Sequence, residues 1–427
     1  MKTFSRRAFL QAATAASVVA PTVLAGTPPA PTGLTSRVRG LMYGTILGDA
    51  LGGPIEFQPP EKVHQLPDAP KLWRDGELLD APARAATAAR LRLRRYHDLR
   101  PVPESYGQWN VDSLPGTITD DTRHKLVLLL GLRRADQDDR WPFDVRALAQ
   151  AHLDWPGTSA VTARPEYLPL AADWLEEWQF AARWVLGGRD LRTARPPERM
   201  WNGLATCCGQ MALPPLAALF AGRPEQAYRA AYHLAFFDNG WGRDMNAALV
   251  GALATALVTP VDRTSPRAAW EAVTASMRRT DPFGYGKVRW TQRAVDRWLD
   301  FALKSAADAQ GHPARLFATL EREFMTASKW EAHVVFTVIF SCVALAEHDP
   351  LAALQLCMEW GHDSDSYAQM LGAFIGALHG PDLFPVAWRQ AAADRLLADH
   401  KVDVEADCGL LVRLGRLGRS RPLVRED

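Results

Sequence analysis

The stretch Gly-Leu-Met-Tyr-Gly-Thr-Ile-Leu-Gly-Asp-Ala-Leu-Gly spans residues 40–52 and places a glycine at every fourth position. A second stripe comes late in the chain, with Gly372, Gly376 and Gly380. Four-residue spacing puts these glycines on one helical face, at up to about 1 kcal/mol of helix propensity each. A face without side chains lets another backbone approach closely. The two stripes therefore predict closely packed core helices over residues 38–52 and 365–380.

The apolar residues of most other segments recur at helical spacing, and long alternating strand patterns are absent from the sequence. The amphipathic stretches cover residues 82–97, 143–153, 170–187, 224–236, 266–279, 289–309 and 384–398. The sequence therefore predicts an all-α fold, with a single compact multi-helix domain over residues 37–427. Residues 58–114 are its longest irregular stretch, and they are predicted to form a lid or an insertion.

The first residues have the features of an export signal. Arg6-Arg7 is followed by Phe9-Leu10, a short Ala/Val-rich stretch and small residues near position 25. This pattern predicts a twin-arginine-type signal peptide over residues 1–25. Residues 26–36 are rich in proline and are predicted to form a tether. The mature protein is therefore expected to be exported, to the periplasm or beyond it.

Charge and hydropathy exclude several classes of partner. The chain has 49 basic and 48 acidic residues, and loss of residues 1–25 removes only Lys2, Arg6 and Arg7 from this balance. A nearly neutral chain argues against nucleic acid or an anionic membrane as the main partner. No later stretch offers about 18 uninterrupted apolar residues, so stable membrane insertion of the mature chain is not expected. The oligomeric state cannot be inferred from these features.

Three segments near predicted helix ends are rich in oxygen ligands. Thr119-Asp120-Asp121 precedes an apolar run and has the pattern of a helix start. Glu56 follows the first glycine stripe, and Asp363-Ser364-Asp365-Ser366 precedes the second. The Thr119-Asp120-Asp121 segment alone is also explained by helix capping, because Thr and Asp favour the first turn of a helix.

Together, the three segments provide five carboxylates, with hydroxyl groups beside them, that converge if the two striped helices pack together. Like-charge repulsion among five acids requires compensating cations. Two divalent ions would compensate the charge, and an all-oxygen set without Cys or His favours a hard metal. The sequence thus predicts two Mg²⁺ ions, with Mn²⁺ or Ca²⁺ as alternatives. The five cysteines have no metal-type spacing.

These motifs, in this order and relative placement, resemble the ADP-ribosylglycohydrolase family, which includes the dinitrogenase-reductase-activating glycohydrolases. The resemblance spans residues 38–380 and implies an all-α domain with two Mg²⁺ ions at the base of a cleft. It implies a metal shell formed by Glu56, Thr119, Asp120, Asp121, Asp363, Asp365 and Ser366. Ser366 stands where the family usually has threonine, and His362 stands where glycine is usual. The pair Arg123-His124 also departs from the more common small or apolar residues.

The resemblance implies hydrolysis of a glycosidic bond at C1 of a ribosyl group, either an ADP-ribosyl group as in the family's known members or a related one. A carboxylate must assist proton transfer at an oxocarbenium-like transition state. Glu56 is the first choice for this catalytic role, with Asp363 or Asp365 as the second. The substrate is expected to be a small-molecule or a protein-linked ribosyl compound. A non-catalytic protein that binds ADP-ribose or another ribosyl ligand is the alternative.

Six residues are predicted to bind the substrate. Asp49 and His362 adjoin the metal motifs, and the other four lie in the segment 236–246, which joins two predicted helices: Phe237, Asp238, Trp241 and Arg243. Asn239-Gly240 is first of all typical of a turn, and the aromatic residues of the segment would also suit a loop that stacks on a base.

A prenyl-diphosphate site, which is also all-α and Mg²⁺-dependent, fits this sequence poorly. It needs acids about four residues apart on one helical face. The positions four after Asp120 and Asp121 are His124 and Lys125. A helical protein with acidic caps and no metal is the remaining alternative.

Overall fold

The computed structural model describes residues 33–65, 71–74, 77–88, 91–94, 114–163, 168–262 and 265–425. Within these residues the α-helices are α1 Leu34–Gly52, α2 Pro60–Val63, α3 Ala81–Ala88, α4 Asp120–Gln137, α5 Val145–Asp154, α6 Ser159–Thr162, α7 Leu168–Val185, α8 Cys208–Ala212, α9 Leu216–Leu219, α10 Pro224–Leu234, α11 Gly240–Ala256, α12 Arg267–Arg279, α13 Ala294–Ala309, α14 Pro313–Glu323, α15 Ala332–Leu345, α16 Pro350–Trp360, α17 Ser364–His379, α18 Val386–His400 and α19 Val404–Leu417. Two short strands, β1 Trp73–Arg74 and β2 Glu77–Leu78, pair antiparallel. The all-α prediction is confirmed.

Helices α1 and α17 pack antiparallel with their backbones in direct contact. A Cβ added at Gly44 would lie 2.0 Å from the carbonyl oxygen of Gly372, and one added at Gly40 would lie 2.1 Å from that of Gly376. The register continues to the end of α1, where a Cβ at Gly52 would meet the carbonyl oxygen of Ser364 at 2.4 Å. Only glycine permits this approach. The packing fixes the end of α1 beside the start of α17, as the glycine stripes predicted.

The helix that was predicted over residues 82–97 is shorter than expected. It ends at Ala88, and residues 91–94 are not helical. Leu91 and Leu93 are buried whereas Arg92 is exposed, which is the two-residue alternation of an extended segment. The remaining six amphipathic stretches form helices whose ends differ by a few residues from the predicted ones.

The described part of the predicted insertion, residues 58–114, is packed against the rest of the protein. Leu72 is fully buried, and its backbone N–H donates to Glu359 Oε1 on α16 over 2.8 Å. Arg84 on α3 bonds Glu347 at 3.1 Å. Residues 95–113, to which much of the lid prediction applies, lie outside the described residues.

The signal peptide prediction also lies outside the described residues, which begin at position 33. Helix α1 starts at Leu34, so the last three residues of the predicted tether are helical. The described residues belong to one compact unit. Among the described helices, none is both long and apolar enough to cross a membrane.

Candidate metal centre

The junction between α1 and α17 positions the first part of the site. A short 3₁₀ turn, Gly53–Ile55, leads from α1 to Glu56. Two reciprocal backbone hydrogen bonds then join this segment to the one that precedes α17: Phe57 N–H donates to His362 O at 2.5 Å, and His362 N–H donates to Gln58 O at 2.6 Å. Phe57 directly follows Glu56, and His362 directly precedes Asp363. The two hydrogen bonds therefore hold Glu56 beside Asp363.

Asp49 attaches the start of α4 to this junction. Its Oδ1 accepts the backbone N–H of Thr119, and its Oδ2 accepts that of Thr122, both at 3.0 Å. These N–H groups belong to the first turn of α4, where no intrahelical acceptor exists. The buried carboxylate of Asp49 therefore serves as an acceptor for α4, and its predicted contact with the substrate stays a prediction.

The structure brings together the five acids that sequence motifs placed near three helix ends. Two groups of carboxylates each offer ligand oxygens within 4.8 Å of one another: Glu56 with Asp363 and Asp365, and Asp120 with Asp121 and Asp365. Asp365 belongs to both groups. The two groups of ligand oxygens, each of which could hold a cation, thus share one carboxylate.

Two hydroxyls complete the set of oxygen ligands. Thr119 Oγ1 donates to Asp365 Oδ2 at 2.8 Å, and Ser366 Oγ donates to Asp121 at 3.2 Å. Each hydroxyl thus lies against a carboxylate of the cluster, and its oxygen retains lone pairs for a metal ion. Thr119 also caps α4 by accepting the N–H of Asp121 at 3.2 Å. Capping and ligation are therefore compatible at Thr119.

Burial and mutual repulsion make the cluster unstable as bare carboxylates. Burial, opposed by Arg123 and reinforced by Asp49, raises the pKa of Asp120 to about 6. Burial raises the pKa of Asp363 to about 7. For Asp121 and Asp365, burial and then the neighbouring acids move the pKa well above its usual range. A bound cation would remove this penalty by stabilising the charged forms.

The donor set fits a hard divalent metal. Asp363 Oδ2 and Asp365 Oδ1 are buried and have no hydrogen-bond partner among the described residues, so they are available as ligands. The nearest thiol, Cys207 Sγ, lies 3.8 Å from Ser366 Oγ, and burial raises the pKa of this thiol well above its usual range. The ligand atoms that the cluster itself offers are carboxylate and hydroxyl oxygens, which suit a hard metal. None of the five cysteines forms a disulfide, and all are buried.

A buried lysine lies behind the cluster, and sequence reasoning missed it. Lys125 is fully buried on α4, and its Nζ donates to the backbone carbonyl of Asp121 at 2.9 Å. Burial lowers its pKa, while attraction by Asp121, Asp49 and Asp365 opposes that shift. Its position one turn after Asp121 in the sequence could have revealed it.

The acids open into a cavity of about 230 Å³. Its polar floor contains Glu56, Asp120, Asp121, Asp363 and Ser366. The rest of the wall is aromatic or sulfur-containing: Phe57, Trp174, Trp178, Trp201, Trp330, Cys207, Cys208 and Met211. Asp365 belongs to the cluster but does not line the cavity.

The four residues of the segment 236–246 that were predicted to bind substrate do not line this cavity. Phe237 is fully buried and packs on the outer side of Trp178, with ring centroids 4.3 Å apart. Asp238 accepts the backbone N–H of Gly209 at 2.9 Å. Trp241 packs on His333, and Arg243 donates to the carbonyl of Ala235. In the structure these residues support the wall or lie away from it.

His362 also faces away from the acids. Its Nε2 lies 2.6 Å from Glu321 Oε1, and its ring packs against Trp360. Its backbone φ is +53°, a conformation that glycine adopts without strain. This explains why the family resemblance places glycine here. Contact between His362 and the substrate stays a prediction.

The aromatic wall was not found from the sequence, because its four tryptophans come from three separate segments. Trp174 and Trp178 lie on α7, Trp201 lies in the turn Pro197–Gly203, and Trp330 precedes α15. The i, i+4 spacing of the first pair is a weak signal on its own. The only other signal in the sequence was its large number of tryptophans, 15 in all.

The fold and the acidic cluster together define an all-helical protein with a candidate divalent-metal centre. A profile of the ADP-ribosylglycohydrolase family matches residues 30–418, and the chain belongs to that family. A solved structure, described as an ADP-ribosylglycohydrolase-related protein complex, aligns with 90% of this chain and 100% of its own, at 17% identity and a TM-score of 0.49. No curated protein matches the sequence. Family membership supports a glycohydrolase-like function.

Proposed function

We propose that this protein is an exported, metal-dependent hydrolase that cleaves the glycosidic bond at C1 of a ribosyl group. One observation carries the proposal: two carboxylate triads share Asp365, and their other four acids line a cavity whose remaining wall is aromatic or sulfur-containing. A structural acidic cluster would not need to open into a cavity. Family membership supports a ribosyl substrate, either a small molecule or one linked to a protein.

Two Mg²⁺ ions, with Mn²⁺ as a substitute, fit the described oxygen set. The residues that would hold them are Glu56, Thr119, Asp120, Asp121, Asp363, Asp365 and Ser366. When bound, divalent ions supply Lewis acidity, which acidifies water and orients hydroxyl groups. The buried oxygens of Asp363 and Asp365 that lack hydrogen-bond partners are the structural support for this assignment.

The protein's own residues would then orient the sugar and move protons. In the reaction, the oxygen of water bonds to C1, and the bond from C1 to the aglycone breaks with its electron pair leaving on the aglycone. Water gives up a proton, and the aglycone takes one. Glu56 and Asp363 both line the cavity, whereas Asp365 does not. Glu56 therefore remains the first choice for proton transfer, with Asp363 second.

A substrate panel tests the activity. The purified mature chain is incubated with ribosyl compounds in the presence of Mg²⁺ or Mn²⁺, and the free sugar is measured. Asp363→Asn should reduce turnover by at least about a hundredfold. Asp308→Asn, at an exposed position on α13, is the matched control and should keep full activity. Saturable binding of a ribosyl ligand without any sugar release would favour the non-catalytic alternative.

A further inference from the structure

The residues in the wall of the cavity indicate which aglycone the substrate has, whereas the acidic cluster bears only on the sugar. Two tryptophans, Trp174 and Trp178, form its inner part, and both are almost completely buried. Trp201 and Trp330 are partly exposed, with ring centroids 5.4 Å apart and planes at 73°. Four indole rings around one cavity of about 230 Å³ provide several stacking surfaces for a flat ligand.

The inner rings are held rigidly by a buried histidine. The ring of His124 stacks on Trp178 with centroids 3.6 Å apart, and it meets Trp174 edge-on at 4.8 Å. His152 stacks on Trp178 as well, at 5.3 Å. Burial lowers the pKa of both histidines, to about 4 for His152, so both are neutral near pH 7. Trp178 is therefore fixed before any ligand arrives, which limits the entropy lost on binding.

Two aromatic residues of the wall adopt a backbone conformation that bulky side chains usually avoid. Phe57 has φ of +61° and Trp201 has φ of +51°. Such residues each cost on the order of 1–3 kcal/mol and tend to occur at functional sites. Phe57 is 44% exposed in spite of its apolar ring. The fold thus sustains strain at two positions that present aromatic rings to one cavity.

Charge and size indicate which aglycone fits. Within the described residues, the charged side chains that line the cavity are all carboxylates. A phosphate group bound there would therefore meet no basic side chain among the described lining residues. The cavity is also smaller than the roughly 300–1,000 Å³ typical of drug-sized ligands.

We infer that the substrate is a small riboside whose aglycone is an uncharged aromatic ring, bound between the tryptophans while the ribose lies on the acidic floor. This inference rests on the proposed function and narrows its substrate class. Hydrolysis then releases ribose and the protonated aromatic base or phenol. The bond from C1 to the ring nitrogen or oxygen breaks, its electron pair stays with the aglycone, and water provides the oxygen and both hydrogens.

Matched ribosides test the substrate class. Turnover is measured with Mg²⁺ for both anomers of nitrophenyl ribofuranoside, for uridine and inosine, for inosine 5′-monophosphate and for an ADP-ribosylated arginine peptide. The inference predicts that at least one uncharged aromatic riboside has a kcat/KM about tenfold or more above both phosphorylated substrates. Preferential cleavage of the ADP-ribosyl peptide or the monophosphate overturns the inference and leaves the proposed function intact. Sugar release from no substrate, with either Mg²⁺ or Mn²⁺, overturns both.

Tryptophan variants test the stacking contact itself. Trp330→Ala should raise KM for the preferred aromatic riboside by about 5- to 100-fold with a smaller effect on kcat, because a stacking partner is lost. Trp330→Phe keeps an aromatic face and should restore most of the affinity. Trp290→Ala is the control, since Trp290 is 82% exposed and does not line the cavity. Unchanged KM in Trp330→Ala, with metal content and melting temperature intact, contradicts the inference.

Discussion

Gly44→Ala tests the packing on which the site depends. The alanine Cβ would lie 2.0 Å from the carbonyl oxygen of Gly372, whereas ordinary contact begins at 3.4 Å. The obstacle is main chain and cannot rotate away, so α1 and α17 must separate by about 1.4 Å. Overpacking of this kind costs about 3 kcal/mol, and the higher helix propensity of alanine offsets about 1 kcal/mol. The expected net loss is about 2 kcal/mol of unfolding free energy.

Gly409→Ala is the matched control, because Gly409 lies on α19 and a Cβ there meets no atom within 4 Å. This substitution should stabilise the protein by up to about 1 kcal/mol. Urea denaturation of both variants measures whether each substitution raises or lowers the free energy of unfolding. The thermal midpoints should move by only about 1–3 °C in a chain of this size. Gly44→Ala should also lose about a hundredfold in activity, since a displacement above 1 Å misplaces Glu56. If Gly44→Ala is as stable as the wild type, the close-packing argument is wrong.

Two further predictions concern a buried ion pair and the N-terminus. Asp244 and Arg293 are almost fully buried and paired at 2.6 Å, so Asp244→Ala should lower the free energy of unfolding by about 3–5 kcal/mol in denaturant melts. Asp308→Ala removes an exposed ion pair instead and should change stability little. Equal effects of the two substitutions would refute the burial argument. The exported protein should begin near Gly26 by intact mass, whereas retention of Met1 in a cytoplasmic protein would contradict the signal prediction.

The parts of the fold that sequence analysis found have strong local periodicity. Glycine at every fourth position predicted both the helices and their close contact. Glycine lowers helix propensity, and the close approach of another backbone explains why the sequence tolerates this cost. The contact then places Glu56 beside Asp363 and Asp365, so the acidic cluster followed from the same pattern. The partner of Asp49, by contrast, is backbone N–H of α4. Backbone partners leave no pattern in side-chain identity.

The cavity wall could not be predicted in the same way. Phe237 and Trp241 lie in a segment of suitable composition, but Phe237 packs behind Trp178 and Trp241 packs on His333. The rings that do line the cavity include Trp201 and Trp330, which come from loops far apart in the chain. Only tertiary packing decides which aromatic residues reach the surface of a cavity and which support it from behind.

The metal content of the purified protein tests the central claim most directly. Equilibrium dialysis against saturating Mg²⁺ or Mn²⁺ should give about two ions per chain for the wild type. Glu56→Gln, which alters one triad, should keep about one ion, and Asp365→Asn, which alters both, should keep fewer than one. All three proteins should stay folded by circular dichroism. A wild type that binds fewer than one ion per chain, or Asp365→Asn that still binds two, would contradict the dinuclear site.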